Sequence, residues 1–379
     1  MLVGLGITIF VRPITTLLHE LGHAIAALVF YSGKVHVYVG SYGDKNVGKH
    51  LSIGRLHVHF DLNILSMNRG VCEAPDATKG LIKNMIFVAA GPFISILIIV
   101  VSAWFVFNGD FHSIYKIMLC IIIFSSAMDL RFNLEKNHDP IILANGKSVH
   151  NDGTTLRNLW ENRNHTDDIV RISNLIREKK LQEVNFMFDQ SLKFTKNKTL
   201  LRLGAYNYLV TGKHEDAINL NLTLKTQTIL TSIDEVNLGI SYVLSGDIEQ
   251  AQKSFERALI KDDTNARVYL NQGYLSLYLE KFQLAVEQFK QGLRIDPMNT
   301  FGMANLFLAE HKLGYEDKES SIKELTEIFD LEPFAFRNLG IIQLEKGNVD
   351  NALKSFRAAK NIDPYIHQID ELIQGCEIE

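Results

Sequence analysis

Cysteine is scarce in this 379-residue chain: Cys72, Cys120 and Cys376 lie far apart, with no CxxC spacing. That excludes a disulfide framework and a cysteine zinc knuckle. Excess positive charge is also missing. The 39 Lys and Arg stand against 43 Asp and Glu, a net of −4, so there is no cationic field to hold a nucleic acid. Disorder is excluded as well, because 46% of residues are apolar and only 22% charged. No basic segment precedes the apolar N-terminus, which argues against a secretory signal. The near-neutral mean hydropathy averages two unlike halves: residues 1–160 carry 13 basic and 10 acidic side chains, residues 161–379 carry 26 and 33. The length suggests two or three domains.

Long apolar runs distinguish the first half. No charge occurs between Lys83 and Asp110, and Ile86–Phe107 alone meets the roughly 20 residues that a membrane helix needs. A second run, Ser113–Leu130, has Lys116 near one end and Asp129 at the other, where charges can reach the interface. The third, Leu2–Tyr31, reads as one helix kinked at Pro13 or as a shorter helix that starts there. Arg12 within it requires a partner or a water-filled cavity. Six Lys and Arg (Lys34, Lys45, Lys49, Arg55, Arg69, Lys79) lie in the loop 32–79 and none in 108–112. By the positive-inside bias, that loop and the C-terminal tail are cytoplasmic.

Chemistry is concentrated in His19-Glu20-Leu21-Gly22-His23, inside the first apolar helix. At a spacing of four, both imidazoles project from one helical face and can share a metal, with Glu20 beside them as general base. One zinc ion so held would lower the pKa of bound water toward about 7, and Glu20 would take its proton as it attacks a peptide carbonyl. Three ionisable groups at membrane depth are costly without such a role. Two histidines are not a complete site, because a catalytic zinc takes a third protein ligand.

Over about its first 160 residues the chain resembles the site-2 protease family of intramembrane zinc metalloproteases. The resemblance rests on HELGH inside a membrane span, on Asn133-Leu134, and on Asn151-Asp152-Gly153. It implies Asp152 as the third ligand, with Asn133 near the site. It also covers Ala90-Gly91-Pro92 in the middle span, which makes Gly91 and Pro92 candidate substrate-binding positions. The family often carries an Asn after that step, where this chain has Ser95. Between Asn133 and Asp152 only Pro140 remains of the family's prolines, which makes His138-Asp139 a rival ligand pair and Asp129 a weaker one. A prokaryotic inner-membrane setting is implied by the same resemblance.

Lys34–Tyr42 and Leu51–Asn63 alternate with period two and read as the strands of a β-hairpin. His57 and His59 then share a strand face, either as metal ligands or as ordinary polar-face residues. The resemblance suggests a β-element beside the active site, which could hold an unwound substrate by strand addition.

After residue 164 the period becomes 34. Ala217, Ala251 and Ala285 are in register, as are Gly212 and Gly246, Tyr208 and Tyr242, and Phe255 and Phe289. This is the tetratricopeptide pattern. It predicts repeats at 198–231, 232–265, 266–299, 300–332 and 333–366, a worn repeat at 164–197 and a closing helix at 367–379. Unit 300–332 keeps Gly314 and loses the alanine. The expected fold is mainly α. A three-span transmembrane metalloprotease core with a small β-hairpin insertion (1–160) precedes an α-solenoid of repeats (164–379).

The leading functional expectation is a zinc endopeptidase acting on membrane-protein or peptide substrates, with a cytoplasmic repeat groove that binds a substrate or adaptor protein. The competing class is a non-catalytic membrane-anchored adaptor with a structural or vestigial zinc site. A transporter is disfavoured, because the three spans lack the internal repeat usual in transporters.

Overall fold

The computed structural model describes residues 2–41, 43, 48–61, 70–74, 80–135, 141–142, 148–192, 195–315 and 318–378. His138, Asp139 and Pro140 lie outside the described residues. The chain forms two compact units, Met1–Val170 and Arg171–Glu379. Their divide falls inside a helix, Thr166–Arg177.

The first unit is built on three long helices: α1 (Leu2–Phe30), α2 (Leu81–Asn108) and α3 (Ser113–Leu134). Helix α1 runs unbroken through Pro13. Val11–Phe30, α2 and α3 are each long and apolar enough to cross a membrane. Their outward faces expose Val29, Phe93, Val100, Trp104 and Ile117. Helices α1 and α2 meet at backbone distance: a Cβ on Gly22 would lie 2.7 Å from the Ala90 carbonyl oxygen.

Arg12 finds its partner on α3. Its Nη2 donates to Asp129 Oδ1 at 2.9 Å, and Thr15 Oγ1 lies 2.7 Å from Asp129 Oδ2 and 2.8 Å from Ser125 Oγ. Asp129, weighed from sequence as a rival metal ligand, is therefore bound up in neutralising a partly buried guanidinium.

Between α1 and α2 lies a four-stranded sheet of β1 (Val35–Val39), β2 (Lys49–Ile53), β3 (Leu56–Phe60) and β4 (Gly70–Glu73), ordered β2-β3-β1-β4. The anticipated hairpin of 34–42 with 51–63 is not formed. β1 and β3 run parallel, and the hairpin is β2 with β3. The cause is Gly54 at φ +58, which turns the chain inside the stretch that alternation alone reads as one strand. Val35, Val37, Val39 and Val58 on one sheet face pack on Ala24, Ala27 and Tyr31 at the end of α1. No basic residue lies in the last turn of α1. Arg55, from the hairpin turn, supplies that charge by donating to the Leu28 and Tyr31 carbonyls at 2.6 and 2.7 Å.

A two-stranded ladder, β5 (Ile141–Ile142) with β6 (Ser148–Val149), leads into α4 (Asp152–Glu161). Asn151 caps α4 by accepting from Thr154 N, and its amide donates to the Phe132 and Glu135 carbonyls at 3.1 and 2.9 Å. One side chain thus starts α4 and ties it to the end of α3. Gly153 is required beside it, since a Cβ there would meet the Leu134 backbone at 2.7 Å.

Helix α5 (Thr166–Arg177) carries the divide. The second unit continues with α6 (Leu181–Gln190) and five helix pairs. These are α7 (Lys198–Val210) with α8 (His214–Gln227), α9 (Ser232–Ser245) with α10 (Ile248–Lys261), α11 (Ala266–Tyr278) with α12 (Phe282–Ile295), α13 (Thr300–Lys312) with α14 (Lys318–Ile328), and α15 (Pro333–Glu345) with α16 (Val349–Ile362). Helix α17 (Ile369–Ile378) follows. Three of the five crossings rest on a glycine against a phenylalanine ring of the same pair. The Cβ positions of Gly239, Gly273 and Gly340 fall 2.5–2.8 Å from Phe255, Phe289 and Phe356. The degenerate pair α13/α14 lacks both: Phe307 stands at the glycine position and packs against Ala304, Leu325 and Ala335, while Lys323, at the phenylalanine position, is exposed.

His367 gives this unit a pH dependence. Burial and the nearby Arg337 hold its imidazole down to about 4, and Tyr274 Oη lies 2.6 Å from its Nδ1. The unfolded chain, with an ordinary value near 6.5, takes up this proton first as pH falls. Stability present above pH 6.5 is thus lost progressively toward pH 4, by about 3 kcal/mol at most. Thermal melts of the full chain across that window should fall less steeply for His367→Gln than for the wild type.

Candidate metal centre

HELGH sits on the face of α1 that meets α2, and His19, Glu20 and His23 are all buried. His23 Nδ1 donates to the Phe87 carbonyl at 2.8 Å. A carbonyl only accepts, so in the neutral ring Nε2 carries the lone pair. His19 Nδ1 lies 2.9 Å from Ser95 Oγ, an arrangement that likewise directs Nε2 inward. The two Nε2 atoms are 3.3 Å apart, and Asp152 Oδ2 lies 3.0 Å from that of His19 and 3.3 Å from that of His23.

Ligands held 2.0–2.1 Å from a tetrahedral ion stand roughly 3.3 Å from one another. The spacing fits zinc, as does the donor set of two imidazoles and a carboxylate. Among the described residues, His19, His23 and Asp152 form the triad of His, Cys, Asp or Glu side chains able to share a metal. Burial alone would raise the Asp152 carboxyl, but the positive charge of the His23 and His19 rings in their protonated, metal-free form holds it down to about 2. It is thus an anionic donor throughout the physiological range.

A cavity of about 330 Å³ opens on this cluster, lined by Glu20, His23, Asp152, Asn133, Gly70 and Cys72 among others. Backbone approaches define it. A Cβ on Gly70 would meet Glu20 Oε1 at 2.5 Å, so β4 passes directly beside the carboxylate. A Cβ on Gly91 would lie 2.2 Å from His23 Nε2 and 2.7 Å from His19 Nε2. Burial, with Glu20 and Asp152 nearby, pushes the Cys72 thiol well above its usual range. In the metal-free protein it faces the cavity as a neutral thiol.

The candidate residues named from sequence take distinct places. His19, His23 and Asp152 converge, Glu20 lines the same cavity, and Asn133 Nδ2 lies 3.3 Å from His19 Nε2. Gly91 is the point of closest approach to both imidazoles, and Pro92 is buried in α2. Ser95, which stands where the family often carries an Asn, lies within hydrogen-bond distance of His19 Nδ1. Gly70 and Cys72 escaped sequence reasoning. The one available signal was their place at the end of the loop between two spans.

Residues 236–299 match the family model described as tetratricopeptide repeat. With the helix pairs described above, that match makes the second unit an array of such repeats. No curated protein matches the chain. Among solved structures, it is similar to the Cut9–Hcn1 hetero-tetramer of the APC/C at 14% identity, covering 79% of this chain and 57% of that one, with a TM-score of 0.45. It is also similar to a tetratricopeptide repeat protein from Parabacteroides merdae (18% identity, 75% and 98% coverage, TM-score 0.44). A thermophilic one from Thermus thermophilus shows 17% identity, 47% and 97% coverage, and a TM-score of 0.40. The chain spans just over half the length of the Cut9–Hcn1 chain it matches.

Proposed function

We propose that the first unit is an intramembrane zinc endopeptidase and that the repeats bind a protein partner, either a substrate or an adaptor. The observation that carries this reading is the convergence of His19, His23 and Asp152 at 3.0–3.3 Å, with Glu20 on the same cavity. A zinc ion held by these three residues would supply Lewis acidity toward water and a peptide carbonyl. Ser95 and the Phe87 carbonyl fix the two rings, so no side-chain reorganisation is needed on binding. Glu20 takes the proton of the attacking water and delivers it to the leaving amide nitrogen.

A membrane-spanning substrate helix hides its amides and has to be extended before it can be cut. β4 is an edge strand of its sheet and lines the cavity at Gly70, Val71 and Cys72. It offers main-chain donors and acceptors for an unwound segment beside Glu20.

The comparisons bear on the repeats alone and favour a second reading. In it the chain is a non-catalytic membrane-anchored adaptor, and the metal ligands serve only to tie α1 to α4. In the second unit a cavity of about 250 Å³, lined by Tyr274, Tyr278, Phe282, Lys312 and Arg337, offers such a partner mixed aromatic and cationic contacts. The purified full chain in detergent separates the readings. The endopeptidase is expected to lose one zinc equivalent on Asp152→Ala and to cleave single-span test substrates only when zinc is present. Partner capture without any cleavage by zinc-loaded protein would establish the adaptor.

A further inference from the structure

The parallel pairing of β1 with β3 creates a second histidine cluster that strand alternation alone does not show. On the sheet face opposite the valines that pack on α1, His36 is the register partner of His57 on β3 and of Glu73 on β4. In the next row, Tyr38 is the partner of His59. His59 and Tyr38 are buried, and their rings stack with centroids 4.8 Å apart. His36 stacks on His57 at 5.0 Å and on His59 at 5.4 Å.

Two features exceed what ring stacking requires. His36 Nδ1 lies 3.2 Å from His59 Nε2, the same separation within 0.1 Å as the two imidazole nitrogens of the HELGH pair. This is the roughly 3.3 Å spacing of two ligands around one tetrahedral ion. His57 has Nδ1 2.7 Å from Ser52 Oγ, while its Nε2 is buried and has no hydrogen-bond partner among the described residues. A ring fixed by a serine hydroxyl with its other nitrogen directed inward repeats the His19–Ser95 arrangement. Glu73, the register partner of His36, supplies a carboxylate on the neighbouring strand, and Tyr38 Oη donates to it at 3.5 Å.

We infer that His36, His57, His59 and Glu73 form a second divalent-metal site, of the zinc, copper and nickel class that imidazole-rich donor sets take. His36 and His59 stand ready as a pair; among the described residues no third ligand atom lies at shared-metal distance from them, so His57 and Glu73 complete the set by turning inward from the flanking strands. An ion there links β1, β3 and β4, and so stiffens the sheet whose β4 end carries Gly70 against Glu20. The inference does not depend on peptidase activity.

The test is zinc titration of the full chain in detergent, alone and in two variants. The wild type is expected to bind two zinc ions, and His19→Ala/His23→Ala to keep one. In His36→Ala/His59→Ala the second equivalent should bind at least about 100-fold more weakly. X-ray absorption at the zinc edge of the His19→Ala/His23→Ala chain reads the ligands directly and leaves the sheet unaltered, so it decides even where the sheet variant fails to fold. At least two imidazole shells at about 2.0 Å are expected. No zinc bound to that chain, or bound zinc without imidazole scattering, overturns the inference and leaves the His36–His59 contact as a hydrogen bond only. Full retention of zinc by the His36→Ala/His59→Ala chain overturns it equally.

Discussion

Changing Glu20 to Gln is expected to reduce peptide hydrolysis by about 10²–10⁴-fold, with zinc content and melting temperature unchanged. The amide has the shape of the carboxylate, and Gly70 leaves no room for a larger side chain beside it. It can still accept a hydrogen bond, but it cannot take a proton from water. Because Glu20 is not among the three converging ligands, its loss does not unload the metal. Rates on a single-span substrate, measured alongside metal analysis of the same preparation, separate the proton-transfer role from a ligand role. Wild-type rates in this variant would remove Glu20 from the chemistry.

The second large effect is expected at Gly91. A methyl group added there would lie 2.2 Å from His23 Nε2 and 2.7 Å from His19 Nε2, both well inside van der Waals contact. Neither ring can retreat freely. Phe87 O holds the far nitrogen of His23, and Ser95 Oγ that of His19. Gly91→Ala should therefore break at least one of these bonds, displace both Nε2 atoms from their 3.3 Å separation, and weaken zinc binding about 100-fold. Overpacking of this kind costs about 1–3 kcal/mol, so the melting temperature should fall as well. Competition with a chelator of known affinity measures the first effect and a thermal melt the second. Unchanged values in both would mean that the α1–α2 approach is looser than described.

The metal-capable residues were legible because their spacing is local or tied to a short motif. His19 and His23 share a helix face by a four-residue offset. Asn151-Asp152-Gly153 is a compact device in which the first residue caps, the second points at the histidines and the third allows contact with Leu134. The 34-residue period was legible for the same reason, since each glycine and its phenylalanine lie in one helix pair. Contacts between distant segments were not legible. Ser95 meets His19 across 76 residues, and nothing near Ser95 announces a role as hydrogen-bond partner. The parallel β1–β3 pairing depends on Gly54 splitting one alternating stretch into two strands, which period-two counting passes over. The pairing of Arg12 with Asp129 shows both sides of this limit: the need for a partner could be read from the sequence, but its identity could not.

That ion pair has a consequence for biosynthesis. Arg12 and Asp129 are separated by 117 positions, and synthesis runs from the N-terminus. In a chain that crosses a bilayer, α1 emerges from the ribosome with a guanidinium in its apolar run long before the carboxylate that neutralises it exists. An isolated α1 would therefore partition poorly into lipid. Its stable insertion has to await α3, whether α1 is held at the insertion machinery or at the interface until then. In a chain truncated ahead of Ser113, a cysteine placed in α1 should stay open to a water-soluble thiol reagent, whereas in the chain carried through Leu134 it should be protected. Folding of the metal-binding face of α1 would then be deferred until α3, on which Asn151 fastens the start of α4, is in place.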